Sequence, residues 1–257
     1  MIIIVALFKR QAVKETFIIY NNSSLQIKRK VLLMNIGGSV LLNINWFSFI
    51  YVLNHISIKA ASLAYLVCPI LTTLLAWIIL HEKLSKLQWG AVGISIFSCI
   101  LLSYANIVDM LYSILVGLSY AGYLVSQRQN TGFDKFIVLT FHIVLSAMLL
   151  LPFYPAFGGP VPTAFKFYFY IEIIAVAFTI IPLFLNLFAL KRLTSSTLGM
   201  LLNINPIIGF TLAGLMYQEH MSSVQIISYS LIFISVLVFN AHYLFSGRLK
   251  QNVTMPD

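Results

Sequence analysis

The chain has 257 residues, of which 60% are hydrophobic and only 9% charged, and its formal net charge is +9. Soluble domains carry roughly 25% charged residues and cannot hide this much apolar side chain. A secreted disulfide scaffold, a nucleic-acid binder and a cytosolic enzyme are therefore excluded, and the bilayer is the solvent. The two cysteines, Cys68 and Cys99, lie inside apolar runs, where a thiol is a small apolar side chain rather than half a disulfide or a metal ligand.

A membrane helix needs about 20 mainly apolar residues. Residues 1–8 are apolar but too short to cross, and Lys9 and Arg10 follow them, whereas a signal peptide carries its positive charge in front. Residues 1–30 therefore read as the remnant of a span plus a basic cytoplasmic loop. Eight full runs follow, near 31–53, 60–80, 87–105, 107–127, 136–155, 168–190, 195–217 and 222–245. They are continuously apolar and about twice the length of a barrel strand, so their backbone groups are satisfied as helices.

Loop charge orients these spans. One side receives Lys9, Arg10, Lys14, Lys28, Arg29, Lys30, Lys83, Lys86, Arg128, Lys135, Lys191, Arg192, Arg248 and Lys250; the other receives Lys59 and Lys166. Basic loops stay inside, which predicts a multi-pass inner-membrane protein with its tail, 246–257, in the cytoplasm. Phe165 to Tyr170 fits an aromatic belt at the outer interface, with Glu172 and Lys166 close enough for an interfacial ion pair. The +9 is thus a topology signal, and the basic stripe of a nucleic-acid binder is missing.

The chain also repeats itself. Shifted by 137 residues, Pro69 meets Pro206, Ile70 meets Ile207, Leu75–Ala76 meets Leu212–Ala213, Glu82 meets Glu219, Ser85 meets Ser222 and Gln88 meets Gln225, without a gap. An odd number of crossings separates the copies, so they run in opposite directions, the inverted arrangement typical of secondary transporters. The first copy spans 31–105 and is incomplete; the second spans 107–245. The second copy begins near 107, so its counterpart would begin about thirty positions before Met1, within the usual boundary error, and a complete design would have ten spans.

Asn45–Trp46, Ala61-Ser62-Leu63 with Tyr65 and Pro69, Glu82-Lys83-Leu84 and Gln88-Trp89, then Arg192-Leu193, Ser196-Thr197-Leu198-Gly199, Pro206 and Glu219 resemble the EamA branch of the drug/metabolite transporter superfamily, within it the RarD-type permeases. The resemblance covers roughly 31–245. It implies ten helices in two inverted halves, a central cavity and transport of a small metabolite. This chain departs from the pattern in lacking the first helix, in having no acid in 136–155, and in ending its 107–127 span Ser126-Gln127-Arg128.

Pro69 and Pro206 sit mid-span, each removing a ladder hydrogen bond and pushing away a carbonyl four residues back, at Tyr65 and Leu202; paired interruptions point to a transport site. Helical spacing gathers Ser62, Tyr65, Thr73, Gly199 and Asn203 around these kinks. Asn43 and Asn45 point about 160° apart on one helix, so Asn45 with Trp46 is taken as the substrate-facing pair and Asn43 as helix-to-helix glue. His142, in mid-span, is the candidate for proton coupling, with a packing role the alternative. Glu82 and Glu219 read as turn and capping residues.

Gly117-Leu-Ser119-Tyr-Ala-Gly122 misses the nucleophile-elbow spacing by one, and His81-Glu82 lacks the second histidine of a zinc helix. No catalytic residue, cofactor or metal site is expected. The sequence thus predicts an all-α polytopic membrane protein, an inverted-repeat bundle of eight full spans plus an N-terminal remnant. Its function is that of a permease moving a small organic solute by alternating access. A truncated non-transporting relic and a membrane assembly protein are the rival readings. The expected partners are the lipid bilayer and a small-molecule substrate, with no nucleic acid and with a homodimer left open.

Overall fold

The computed structural model describes residues 5, 9–56, 58–103, 107–130, 132–157, 159, 161–216 and 222–246, with the side chains of 58–60, 107, 156–157, 213–214 and 242–246 outside the description. These residues form helices α1 (Arg10–Asn22), α2 (Leu25–His55), α3 (Ile58–Leu80), α4 (Lys86–Ser103), α5 (Ile107–Gln129), α6 (Lys135–Leu150), α7 (Phe165–Ala189), α8 (Ser195–Leu201), α9 (Ile204–Met216) and α10 (Ser223–Ser246). Among the described residues there is no strand. Glu219 and most of residues 1–8 lie outside them, as does the tail beyond 246.

Among the described residues seven helices are long and apolar enough to cross a membrane: Leu25–His55, Ala61–Leu80, Lys86–Ser103, Val108–Gln129, Lys135–Phe153, Phe165–Ala189 and Ser223–Ala241. The remaining expected run, 195–217, is divided. Helix α8 stops at Leu201 and α9 starts at Ile204, and the Leu202 carbonyl, expected to be freed by Pro206, accepts the Asn205 N–H at 3.2 Å. Pro206 cannot donate and crowds the carbonyl four residues back; here the chain resolves that conflict with a tight turn instead of a bend. Pro69, by contrast, lies within an unbroken α3.

Two further stretches differ from the sequence reading. Residues 10–22, read as loop, form a helix, and α2 begins at Leu25, six residues before the apolar run. Phe17, Ile18 and Ile19 on α1 are exposed while Arg10, Lys14 and Glu15 carry charge, a mixed pattern that averages to a loop-like composition. Inside α7 the segment Ile174–Ile180 widens into a π-helix, where the Thr179 hydroxyl donates to the Ile174 carbonyl at 3.2 Å. Pro182 follows at once, and a widened turn is one way for a helix to pass a residue without an N–H.

The described chain forms two compact units. One comprises 44–125 and 192–257. Its core joins Leu63, Leu66, Val67 and Ile70 of α3, Ala91, Val92 and Cys99 of α4, Met200 of α8, and Ile232 and Phe239 of α10. Ser95 and Ser235 share a hydrogen bond of 2.7 Å, tying α4 to α10 along stripes of small buried residues. Each of these helices opens with the same device: Ser85 N–H donates to Gln88 Oε1 at 2.9 Å while Gln88 N–H donates to Ser85 Oγ at 3.3 Å. Ser222 and Gln225 repeat it at 2.9 and 3.2 Å. These are reciprocal capping boxes, which satisfy the donors a helix start leaves open, and they explain why those four letters recur at the 137-residue offset.

The other unit comprises 1–43 and 126–191. Helix α6 packs on the end of α7 through buried Val138, Leu139, Leu183 and Leu187, with Phe136 and Phe184 edge to face at 5.7 Å. Asp134 caps α6, its Oδ1 accepting from the Phe136 and Ile137 N–H groups at 2.9 and 3.2 Å.

Candidate functional site

All the expected substrate-facing residues and both prolines fall in the unit of 44–125 and 192–257. Helix α8 lies hard against α3: a Cβ on Gly199 would stand 2.8 Å from Thr72 Cβ and 3.5 Å from the Pro69 carbonyl oxygen. Gly199 is therefore what allows the two helices to touch. Thr73 is buried and donates its hydroxyl to the Pro69 carbonyl at 2.9 Å. Ser62 is exposed, and Tyr65 is half exposed with its ring edge to face on Phe49 at 5.4 Å. Trp46 is half-buried.

The two asparagines of α2 differ in their surroundings. Asn45 donates its amide to the Val116 carbonyl at 2.9 Å, joining α2 to α5, beside Gly117, where a Cβ would come within 3.2 Å of the Cys68 backbone nitrogen. Asn43, read as glue, is buried with neither amide atom hydrogen-bonded among the described residues. Asn203 is the more pointed case. It occupies the turn between α8 and α9, is 1% exposed, and both its amide nitrogen and oxygen lack a partner among the described residues. A buried amide normally finds partners, and leaving one without them costs about 1–3 kcal/mol.

Glu82 organises the start of α8. His81 ends α3 in a left-handed conformation, φ 53°, and turns the chain so that the Glu82 carboxylate accepts from Ser195 N–H at 2.8 Å, Ser196 N–H at 3.0 Å and Ser196 Oγ–H at 2.6 Å. An anion at a helix start meets both open donors and the positive end of the peptide dipoles. The capping reading of Glu82 thus acquires a target 113 residues away in sequence.

His142 belongs to the other unit and is fully buried. It and Gln127 converge on Gly38, where a Cβ would meet Gln127 Nε2 at 2.5 Å and His142 Nε2 at 3.2 Å. Around them runs a buried polar network that sequence reasoning missed. Gln127 donates to the Met34 carbonyl at 3.2 Å; Asn130 Nδ2 donates to Asn35 Oδ1 and Gln127 Oε1 at 3.0 and 3.1 Å; Lys135 donates to the Asn130 carbonyl at 2.6 Å. Lys135, counted as a loop charge, is 4% exposed.

At the edge of this network Asp134 pairs with Lys9 at 3.2 Å. Burial pushes the Asp134 carboxyl up, but the Lys9 ammonium and the two capping N–H groups outweigh it and hold it below the ordinary aspartate value. Glu172 and Lys166, expected to pair, are both exposed and form no ion pair. Among the described residues no cluster of side chains is suited to a metal.

Two surface cavities, of ≈ 590 and ≈ 420 Å³, lie in the unit of 1–43 and 126–191, the first along α2 at Arg29, Met34 and Gly37, the second between α1, α2 and α6 at Phe17, Tyr20 and Phe141. Neither lining includes an expected site residue. Their walls are almost wholly apolar, the kind of surface a membrane helix shows to acyl chains, and the polar chemistry of Asn203 lies elsewhere.

Seven helices among the described residues, each long and apolar enough to cross a bilayer, define a multi-pass α-helical membrane protein. The model of the EamA-like transporter family matches residues 1–104 and 108–241, and the chain belongs to that family. It is 30% identical over 208 residues to the uncharacterized transporter YojE of Bacillus subtilis, covering 79% of this chain and 68% of that protein. It is 26% identical over 226 residues to protein RarD of Streptomyces exfoliatus (87% and 71%) and 24% over 245 residues to protein RarD of Escherichia coli (89% and 78%). A solved crystal structure sharing 18% identity superposes with a TM-score of 0.61 over 93% of each chain, a likeness of fold. The EamA and RarD-type resemblance read from the sequence is borne out.

Proposed function

We propose that the chain is a permease for a small polar organic solute, working by alternating access between the two inverted copies of its repeat, in a cell's inner membrane with the C-terminus in the cytoplasm. The observation that carries this reading is Asn203: a buried amide whose donor and acceptor both lack a partner among the described residues, placed where α8 gives way to α9. A broken membrane helix with an unpaired polar side chain at the break is the arrangement transporters use to hold a solute. The residues expected to line the route, Asn45, Trp46, Ser62, Tyr65, Thr73, Gly199 and Asn203, carry no carboxylate or ammonium. This favours a solute recognised by hydrogen bonds and by ring stacking over a small inorganic ion. No cofactor is required. Whether His142 passes a proton is tested by the same assay.

The test is solute uptake into proteoliposomes holding the full chain, screened with amide-bearing and aromatic metabolites. Asn203→Leu is expected to reduce uptake about tenfold or more, the cost of one lost pair of polar contacts, while the thermal midpoint holds or rises because an unpaired buried amide has been removed. Unchanged uptake by Asn203→Leu would remove the site. His142→Gln that keeps both the rate and its pH profile would remove proton coupling there.

A further inference from the structure

Lys135 opens α6 almost completely buried, and among the described residues its ammonium meets one acceptor, the Asn130 carbonyl. An ammonium has three N–H donors, and a buried charge is ordinarily paired. Among the described residues no carboxylate serves it. The neighbouring Asp134 spends Oδ1 on the Phe136 and Ile137 N–H groups and Oδ2 on Lys9.

The other charges bearing on Lys135 are those of Lys191 and Arg128, both positive; Arg128 is held by the Leu190 carbonyl, which brings the end of α7 to the same place. Asn130 adds a second deficit, since its Oδ1 is buried without a donor among the described residues. Among the described residues Lys135 and the Asn130 acceptor are under-partnered, with Arg128 on the Leu190 carbonyl and Lys191 over the Phe188 ring at 5.7 Å as the neighbouring cations; an oxyanion that also carries a hydroxyl would complete the group.

We propose that Lys135, Arg128 and Lys191 bind a phosphate group, with Asn130 Oδ1 accepting from its hydroxyl. The phosphomonoester of a lipid such as phosphatidic acid and free inorganic phosphate share this chemistry, and arginine and lysine together suit it. The site is separate from Asn203 and does not depend on the transport reading.

The test is the thermal midpoint of the purified full chain. One arm titrates inorganic phosphate in detergent against chloride at equal ionic strength. The other compares nanodiscs of phosphatidylcholine alone with nanodiscs containing phosphatidic acid or, as an anionic phosphodiester with no hydroxyl on its phosphorus, phosphatidylglycerol. The expected result is a saturable rise in one arm: phosphate alone identifies the free anion, and phosphatidic acid alone identifies the headgroup.

Lys135→Gln is expected to weaken that response about tenfold or more, whereas exposed Lys14→Gln leaves it unchanged. Lys135→Gln is also expected to be at least as stable as the parent when phosphate is absent, because it removes an uncompensated charge; a merely structural lysine would lose stability in every condition. If Lys135→Gln does not fold, Lys191→Gln decides, with a weakened response expected. No rise in either arm, or a rise that survives Lys135→Gln or Lys191→Gln unchanged, overturns the proposal.

Discussion

Glu82 shows how much one carboxylate can decide when it meets a helix start. Its three hydrogen bonds to Ser195 and Ser196 fix where α8 begins, and through Gly199 that start sets how α8 rests on α3. Glu82→Ala is expected to lower stability by about 2 kcal/mol, a charge-assisted cap lost, read as the thermal midpoint in detergent; Glu82→Gln is expected to lose less, because its amide oxygen still accepts. Asp134 permits a sharper test in pH. Its folded carboxyl lies below the ordinary value, so its contribution is complete above the unfolded value and fades as pH falls through the folded one. Asp134→Asn is expected to keep the cap at neutral pH and to flatten that acid dependence, while Asp134→Ala loses about 1 kcal/mol throughout. A Lys9→Gln variant with the parent's acid profile would contradict the role given to the ion pair.

Helices made by propensity and helices made by packing were not equally legible. The spans with unbroken apolar runs were readable because lipid demands about 20 such residues in a row. Helix α1 was not, since thirteen residues with mixed charge average to a loop and only their periodicity betrays them. The break at Leu202–Asn203 was half visible: Pro206 announced a disturbance, but composition stays apolar across it, and nothing local distinguishes a bend from a turn. Asn43 and Asn45 illustrate a different limit, because helical geometry separates their directions without saying which direction holds the neighbouring backbone.

The repeat letters could be read as a repeat, yet their work as capping boxes needed the helix starts. Ser85→Ala and Ser222→Ala are each expected to cost about 1 kcal/mol, measured by thermal unfolding, and unequal losses would show that the two caps are not equivalent. Gly199→Ala is expected to cost about 1–3 kcal/mol by overpacking, and Thr72→Ala should not rescue it, because the atom in the way is Thr72 Cβ itself.

At the scale of the molecule, the unit of 44–125 and 192–257 sets two of its helices against their own counterparts: α3 against α8, and α4 against α10, the pairs related by the 137-residue offset. The family model matches the chain twice, over 1–104 and 108–241. Both facts fit a duplicated gene product, and the inverted orientation of the copies is the claim on which the transport proposal stands. It can be measured by placing single cysteines at Lys83 and at Met221, with Cys68 and Cys99 replaced by serine, and labelling intact cells and then permeabilised ones with a membrane-impermeant maleimide. The account predicts that position 221 labels in intact cells and position 83 only after permeabilisation. Labelling of both positions from the same face would contradict it.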